Sequence, residues 1–396
     1  MATQTTTKTE GLYLHGPKEL HLESRDLEAP QPDEVQIAIR SNTICGSDLH
    51  YFSQFRNGDI TVQEPLCLGH ESAGEIIALG SDVHKTQPHL QQGDIVAIEC
   101  GVPCGECDVC KSKRYNICPQ LRFRSSGSKF PHYQGTLQKR INHPAQWVHK
   151  LPDALDCEVG ALLEPLAVAV QAVAKAEKFA LPSVHESCLV FGAGAVGLLC
   201  CLAARASGWK RIVIADIDQQ RLLFAMDHGF ADAAYLVKRP KALDPTNKMA
   251  VAKETAEQIA KMDWPDTGSR VGRLQVVFEC TGVQSCIQAS FYATVSGGAV
   301  ISIGLGFPVH EIPMSEMMTR EVALIPTWRY AACYERAIDT AIASVTGKKD
   351  GPKLPDIRKL ITHRFQGLQS VAEAFDVALA TRDKHGTAVI KAVINL

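Results

Sequence analysis

The stretch SCLVFGAGAVGLLCCLAARASGW, residues 187–209, decides the fold of the middle of this chain. It starts with apolar residues typical of a buried strand, passes through glycines at 192, 194 and 197, and ends in residues that favour a helix. The next apolar run, RIVIAD, ends at Asp216, nineteen residues after Gly197. A GxGxxG pattern alone is weak, but strand, glycines, helix, second strand and terminal acid follow in order. Together they predict a dinucleotide-binding βαβ unit.

Each glycine of this motif has a physical reason. Gly192 permits the tight turn, Gly194 lets the main chain approach a pyrophosphate, and Gly197 lets the helix pack on its strand. The helix is expected to begin near Ala195 and Val196, where its free amides would face the phosphates. These five residues are therefore candidate cofactor contacts.

Two further residues bear on the choice of cofactor. Asp216 is expected to hydrogen-bond the ribose hydroxyls and to repel a 2′-phosphate, which favours NAD over NADP. Arg221 is close enough in sequence to complicate that preference and is a second candidate contact.

The pattern continues after this unit. Strands are predicted within 274–282 and 297–306, with a helix between them, and such alternation indicates a doubly wound, parallel α/β sheet. The polar segment 236–273 is expected to hold an amphipathic helix around Ala252–Met262 between surface loops. The uncharged run 188–204 is short for a membrane span and contains three glycines, so we interpret it as the buried strand, turn and helix described above.

Composition limits the class of protein. A chain of 396 residues is long enough for two domains, and 45% hydrophobic residues with a net charge of −2 are typical of a soluble globular protein. The charge balance does not favour a nucleic acid partner. The opening MATQTTTKTE lacks the apolar core of a secretory signal and is expected to be a short, mobile lead-in. Fourteen cysteines without an export signal indicate a reducing compartment, for which we expect the cytoplasm.

Five of those cysteines lie within ECGVPCGECDVCKSKRYNICP, residues 99–119. Four of them have the spacing CxxCxxCx7C, and four thiolates so placed favour a closed, tetrahedral, structural zinc site. The ligands would be Cys104, Cys107, Cys110 and Cys118. Cys100 falls outside the spacing and is assigned to packing, because free cysteine is among the most buried residue types.

A second, mixed set of ligands is spread along the chain. TICGSDLHY (43–51) supplies Cys45, and LGHES (68–72) supplies His70 and Glu71, a combination typical of a catalytic zinc with an open position. Glu164 is the one charge in GALLEPLAVAV (160–170), and a buried carboxylate needs a partner or a metal. The alternative for Glu164 is a helix N-terminal residue bonded to main-chain amides. A nicotinamide that takes hydride and a zinc that polarises an oxygen together indicate alcohol oxidation.

These motifs resemble the zinc-dependent medium-chain alcohol dehydrogenases, specifically the polyol branch of sorbitol, xylitol and fungal-type arabinitol dehydrogenases. The resemblance covers nearly the whole chain, through ICGSDLHY, LGHESAGEI, GALLEPLAVAV, FGAGAVGLL, FECTG, WRYA and LITHRF. It implies a GroES-like, mostly β catalytic domain in 1–160 and 325–396, a Rossmann NAD-binding domain in 161–324, and an active site in the cleft between them.

The resemblance also implies roles for individual residues. Cys45, His70 and Glu71 would bind the catalytic zinc, and Glu164 would bind it directly or through water. Glu164 stands where classical alcohol dehydrogenases carry a cysteine. Ser47 would contact substrate and relay its proton. The other implied substrate contacts are Tyr51, Phe123, Ser126, Arg329 and Tyr330.

The implied activity is oxidation of a sugar alcohol to a ketose by hydride transfer to NAD, with two zinc ions per chain and a homotetramer. Two departures put the choice of polyol in doubt: AACYERA follows Arg329 and Tyr330 where an Asn-Thr-Trp-like stretch is usual, and Arg122 and Arg124 would add charge near the pocket. Alternatives are a dehydrogenase of another secondary alcohol or vicinal diol and, more remotely, a non-catalytic dinucleotide-binding relative. No membrane partner is expected.

Overall fold

The computed structural model describes residues 6–179, 187–238, 248–347 and 353–396, and within them the chain divides into two compact units. The first unit comprises 1–164 and 358–396, and the second comprises 165–357. The helices are α1 Gly46–Gln54, α2 Val83–Thr86, α3 Asp108–Lys111, α4 Cys157–Ala176, α5 Ala195–Ala206, α6 Gln219–Asp227, α7 Lys248–Ala260, α8 Gln284–Ala293, α9 Met314–Thr319, α10 Tyr334–Thr346 and α11 Val371–Leu379.

The strands of the first unit come from both ends of the chain. They are β1 Thr7–Gly16, β2 Glu19–Leu27, β3 Glu34–Thr43, β4 Arg56–Asn57, β5 Ile60–Thr61, β6 Leu66–Cys67, β7 Glu71–Leu79, β8 Ile95–Ile98, β9 Gly101–Val102, β10 Arg122–Phe123, β11 Arg140–Pro144 and β12 Val148–Lys150. The strands of the second unit are β13 Ser187–Phe191, β14 Arg211–Asp216, β15 Ala233–Leu236, β16 Leu274–Glu279, β17 Thr294–Ser302 and β18 Ala323–Pro326. The first unit then gains β19 Ile361–Gln366 and β20 Lys391–Asn395.

The second unit is built on a parallel sheet with the order β15-β14-β13-β16-β17-β18. Four of the five residues of β13 are buried, as expected for a strand with both faces covered. The α/β class, the interpretation of 188–204 as strand, turn and helix, and the predicted helix around Ala252–Met262 are confirmed.

The first unit is mostly β, with a main sheet in the order β12-β8-β7-β3-β20-β19 and β11 paired to β3. Its register positions the candidate metal ligands. Thr43 on β3 lies opposite Glu71 on β7 and opposite Val393 on β20. Strands that are far apart in sequence therefore meet at one end of this sheet.

The prediction that the first ten residues form a mobile lead-in is wrong for residues 7–10. Strand β1 begins at Thr7 and pairs with β2 from Thr7 onward, and Thr9 is buried. The predicted mobile lead-in therefore does not extend over 7–10, because these residues pair with β2 and the side chain of Thr9 packs inward. Residues 1–5 lie outside the described part.

Helix α4 contains the candidate Glu164 and the boundary between the two units. The carboxylate of Asp156 accepts a hydrogen bond from the amide of Val159 at 2.8 Å, so the helix begins near Cys157. Glu164 lies about two turns further along, which excludes the alternative that it caps the helix N-terminus. In the described residues one stretch, Cys157–Phe179, is long and apolar enough to cross a membrane, and 72% of its most apolar window is buried inside the protein.

Candidate active site

Cys45, His70 and Glu71 come together in the first unit, and one potential ligand atom of each lies within 4.8 Å of the other two. Cys45 is the N-cap of α1, and its amide donates to Asp48 Oδ2 at 3.2 Å. His70 and Glu71 lie where the chain enters β7, with exposures of 5% and 1%. A thiolate, an imidazole and a carboxylate form a donor set that suits a zinc ion with one open position.

Glu71 is held by two side chains that its own motif does not contain. Its carboxylate accepts hydrogen bonds from Thr43 Oγ1 and from Lys391 Nζ, the latter at 2.8 Å from Oε1. Lys391 also donates to the carbonyl of Ile44 at 2.9 Å. Burial works against the charge of Lys391, but Glu71, Cys45 and Glu164 together outweigh it and raise the pKa of Lys391 above its ordinary value.

The His70 ring has partners on both nitrogens. Nδ1 lies 2.7 Å from Ser125 Oγ and 3.3 Å from Asp48 Oδ1, and Nε2 lies 3.4 Å from Ser47 Oγ. Asp48 is itself buried, which opposes its charge, but His70 and the amides of Gly69 and Cys45 hold its pKa below the ordinary value. A carboxylate or hydroxyl behind a ligating imidazole fixes the orientation of the ring. The hydroxyl of Ser47 is thus placed beside the candidate ligands.

Glu164 is buried, with 5% exposure, and its charge acts on both Cys100 and Lys391. It is not among the three residues whose ligand atoms cluster within 4.8 Å. The structure therefore places this carboxylate near the site without bringing it into the ligand group.

The four cysteines of the predicted structural zinc site also come together, and the loop that carries them, residues 103–121 between β9 and β10, forms the four-cysteine lobe. The Sγ–Sγ distances are 3.9 Å for Cys104–Cys110, 3.4 Å for Cys107–Cys110, 3.8 Å for Cys107–Cys118 and 3.5 Å for Cys104–Cys118. Tetrahedral zinc with Zn–S bonds of about 2.3 Å separates its sulfurs by about 3.8 Å, so these thiols fit the metal. All fourteen cysteines are free of disulfides. The amides of Cys107 and Glu106 lower the pKa of Cys104 to about 6, which favours its thiolate.

The candidate dinucleotide site has the shape its glycines predict. Gly192 has a φ of +99°, and a Cβ on Gly197 would lie 1.8 Å from the Gly192 carbonyl oxygen. The amide of Leu198 bonds to the carbonyl of Gly194 at 3.0 Å, closing the first turn of α5. The amides of Ala195, Val196 and Gly197 precede that bond and are available to an anion.

Asp216 has a role here that the motif does not predict. Its Oδ2 accepts from the amide of Ala193 at 2.6 Å, and its Oδ1 accepts from the amide of Asp218 at 2.8 Å. It therefore holds the glycine turn as well as ending β14. The guanidinium of Arg221 lies 3.9 Å from where a Cβ on Gly194 would be, so this side chain borders the turn.

The other predicted substrate contacts are divided between the two units. Tyr51 is 2% exposed and its hydroxyl accepts from the amide of Gly127 at 3.2 Å, while Phe123 and Ser126 are also buried. Arg329 has a φ of +49° and its guanidinium lies 4.9 Å from the Trp328 ring; both belong to the second unit, as does the buried Tyr330. Their roles as substrate contacts stay predictions.

Arg124, which was expected to add charge near the pocket, is buried. It is 3% exposed, and its guanidinium donates to His143 Nδ1, the carbonyl of Gln134 and the hydroxyl of Tyr133. A buried arginine satisfied by several acceptors contributes to the packing of the unit, and its expected effect on a pocket stays a prediction.

Sequence reasoning missed several residues around the ligands: Thr43, Asp48, Ser125 and Lys391. Asp48 had a local signal, since it follows Cys45 by three residues in an N-capping arrangement. Ser125 and Lys391 had none, because the contacts depend on how distant strands pair.

Comparison with known proteins agrees with this geometry. Residues 31–153 match the alcohol dehydrogenase GroES-like domain, and residues 195–343 match the zinc-binding dehydrogenase family. Sorbitol dehydrogenase of Bos taurus is 36% identical over 367 residues, covering 93% of this chain and 92% of that protein. Sorbitol dehydrogenase of Arabidopsis thaliana is 35% identical over 385 residues, covering 97% and 94%.

Solved structures share the fold. An Escherichia coli oxidoreductase/dehydrogenase of unknown specificity, described as involved in membrane biogenesis, has a TM-score of 0.79 at 28% identity and covers 98% of this chain and 99% of its own. L-idonate 5-dehydrogenase of Escherichia coli has a TM-score of 0.80 at 23% identity with full coverage of both chains, and supports the fold alone.

Proposed function

The chain belongs to the zinc-dependent medium-chain dehydrogenase family, in its polyol branch, and we propose that it oxidises a sugar alcohol of the sorbitol, xylitol or L-arabinitol type to the ketose with NAD. The observation that carries this proposal is the cluster of Cys45, His70 and Glu71 within 4.8 Å, an open-site donor set. Sorbitol dehydrogenases at about 35% identity over more than 90% of the chain support the substrate class.

A metal ion and a nicotinamide cofactor would complete the chemistry. Zinc held by Cys45, His70 and Glu71 would act as a Lewis acid on the alcohol oxygen, and NAD held by the glycine turn would accept the hydride. A second zinc, held by the four lobe cysteines, would be structural because its four thiolates leave no open position.

The residues of this chain handle the proton and the substrate. Oxidation of a secondary alcohol releases one hydride and one proton. The hydroxyl of Ser47 would pass the proton on, which its distance of 3.4 Å from His70 Nε2 supports. Glu164 would act through a water molecule rather than as a ligand, in keeping with its place outside the three-residue cluster.

The remaining residues of the proposed site would contact the substrate or NAD. Guanidinium, phenol and hydroxyl groups can hydrogen-bond a chain of substrate hydroxyls, and an aromatic ring can pack against its carbons. The residues that would contact the substrate in this way are Tyr51, Phe123, Ser126, Arg329 and Tyr330. NAD would meet the amides of Ala195 and Val196, the glycines of the turn, Asp216 and Arg221. The functional division into a catalytic domain, 1–160 and 325–396, and an NAD-binding domain, 161–324, belongs to this proposal.

The alternative within the enzymes is a dehydrogenase of another secondary alcohol or vicinal diol. Polyol enzymes usually carry an Asn-Thr-Trp-like stretch after the residue that matches Tyr330, but this chain has AACYERA there. This difference in the expected substrate-binding segment is the observation that favours the alternative. It differs from the first proposal in substrate and not in reaction.

We also propose that the protein is a cytoplasmic homotetramer. Large apolar side chains are exposed in one segment of the second unit, with Phe307 at 80%, Val309 at 81% and Met318 at 67%. Strand β18, which follows these residues in sequence, is an edge strand of the parallel sheet, and both exposed apolar side chains and sheet edges are common in subunit contacts. Sedimentation equilibrium of the purified protein tests this, and a monomer at micromolar concentration would refute it.

The function is tested with the purified holoenzyme on C4 to C6 polyols and vicinal diols, with NAD and NADP in parallel. We expect the highest kcat/KM for a polyol with NAD, and about two zinc ions per chain from the ligand count. Preference for a diol would favour the alternative. Absence of zinc together with absence of turnover would refute both.

A further inference from the structure

A short ribbon forms the base of the four-cysteine lobe and also reaches the candidate catalytic metal site. Strands β9 and β10 pair antiparallel, with Val102 opposite Arg122 and Gly101 opposite Phe123. The four cysteines lie in the loop between these strands. The residues just outside the ribbon, Cys100 before β9 and Ser125 after β10, both contact His70.

Cys100 contacts the main chain of His70. Its Sγ lies 2.8 Å from the His70 carbonyl oxygen, and the side chain is fully buried. A protonated thiol is a hydrogen-bond donor, and at this distance it can donate to the carbonyl. The carbonyl of Cys100 in turn accepts from the amide of Arg124 at 3.1 Å, which ties the two sides of the ribbon together.

Ser125 contacts the His70 side chain. Its hydroxyl lies 2.7 Å from Nδ1, and its backbone has a φ of +61°, which is uncommon for a residue other than glycine. The amide of Ser125 donates to the carbonyl of Tyr133 at 2.9 Å, so a hydrogen bond to another segment of the chain holds this uncommon backbone conformation. The Phe123 ring packs edge-on against the imidazole with centroids 5.4 Å apart.

We propose that Cys100 and Ser125 are positioning residues for His70, the first fixing its backbone and the second its ring. This inference rests on the proposed function, because it takes His70 as a zinc ligand. A hydrogen-bond partner on the second nitrogen of a ligating imidazole fixes the orientation and tautomer of the ring, and its loss typically costs about 10- to 100-fold in metal affinity. Asp48 Oδ1, 3.3 Å from the same nitrogen, stays in place when Ser125 is replaced, so we expect an effect near the lower end of that range. The fifth cysteine of the 99–119 stretch thus acts on the open metal site rather than on the lobe.

The test follows zinc release to a chelator from purified, zinc-loaded protein, using Cys100→Ala and Ser125→Ala. We expect one zinc per chain to be released at least about 10-fold faster than in wild type. Iodoacetamide labelling identifies the site: Cys45 should become alkylated while the four lobe cysteines remain protected. Cys100→Ser keeps a donor and should restore much of the wild-type rate.

The matched control is Cys188→Ala, which deletes an equally buried thiol that belongs to the second unit, whereas His70 belongs to the first. It should release zinc at the wild-type rate. If Cys100→Ala does not fold, Ser125→Ala alone carries the test. Wild-type release from the folded variants, or equal acceleration in Cys188→Ala, would overturn the inference. Failure of the proposed function looks different, because wild type itself would then hold no zinc at the Cys45 site.

Discussion

Lys391 Nζ lies 2.8 Å from Glu71 Oε1, although 320 residues separate the two in sequence. The contact follows from sheet register, since Glu71 on β7 and Val393 on β20 both face Thr43 on the strand between them. Lys391 and Val393 are two apart on β20 and project to the same side. Strand β20, at the end of the chain, therefore supplies the counter-ion of Glu71, a candidate zinc ligand in the first quarter of the chain.

Replacing Lys391 by methionine should strongly destabilise the metal-free protein. Lys391 and Glu71 are 5% and 1% exposed, and breaking a buried pair by removing one partner typically costs about 3–5 kcal/mol. Urea unfolding of chelator-treated protein measures the change. Lys139→Met is the control, because Lys139 pairs with Glu10 at the surface and such pairs contribute at most about 1 kcal/mol. Equal losses in the two variants would contradict the buried-pair account.

Cys110→Ser should lower the zinc content from two ions per chain to one. The free energy of unfolding should fall with it, because a closed thiolate site contributes directly to folding. Turnover of the surviving folded protein should fall less. Metal analysis, thermal unfolding and kcat measure the three effects, with Cys157→Ser as a control thiol outside both metal groups. A stably folded but inactive Cys110→Ser protein would mean that the two zinc roles are reversed.

Asp216→Ser should reduce the ratio of kcat/KM with NAD to kcat/KM with NADP, because the charge that repels a 2′-phosphate is removed. It should also raise KM for both cofactors, since Asp216 Oδ2 holds the amide of Ala193 in the glycine turn. Asp216→Asn separates the effects: it keeps an acceptor oxygen but loses the charge, so the ratio should fall with a smaller rise in KM. An unchanged ratio in both variants would show that another residue discriminates the cofactors.

Stability should decline as the pH falls below about 6.5, the ordinary pKa of histidine. Burial and the neighbouring Arg124 hold the pKa of His143 well below that value. The unfolded chain then binds a proton that the native state does not, so the free energy of unfolding decreases toward acid, by up to about 1.4 kcal/mol per pH unit from this group. Urea unfolding between pH 7 and pH 5 measures the slope. His143→Gln should show a smaller slope, and an identical one would assign the acid sensitivity elsewhere.

The features predicted well are those encoded over short distances. The glycine turn at 192–197 and the cysteines at 104–118 each form from a continuous segment, so their spacing alone constrains their geometry. Even there the structure adds detail, since Asp216 proves to hold the turn through Ala193.

The features missed or wrongly predicted depend on burial and pairing. Arg124 was expected to add charge near a pocket, but the residue is buried and its guanidinium donates to the carbonyl of Gln134. Cys100 was expected only to pack, yet it contacts the carbonyl of His70. Neither outcome can be derived from the residue type or from its neighbours along the chain.

The sequence by itself determined the reaction class, through the residue types of two metal sites and the order of strand, glycines, helix and acid. Only the tertiary structure decided which residues support those ligands. Thr43, Ser125 and Lys391 reach Glu71 and His70 across strands and a ribbon whose register is set by long-range hydrogen bonding. Local spacing carries no information about that register, because it depends on which distant segments share a buried face.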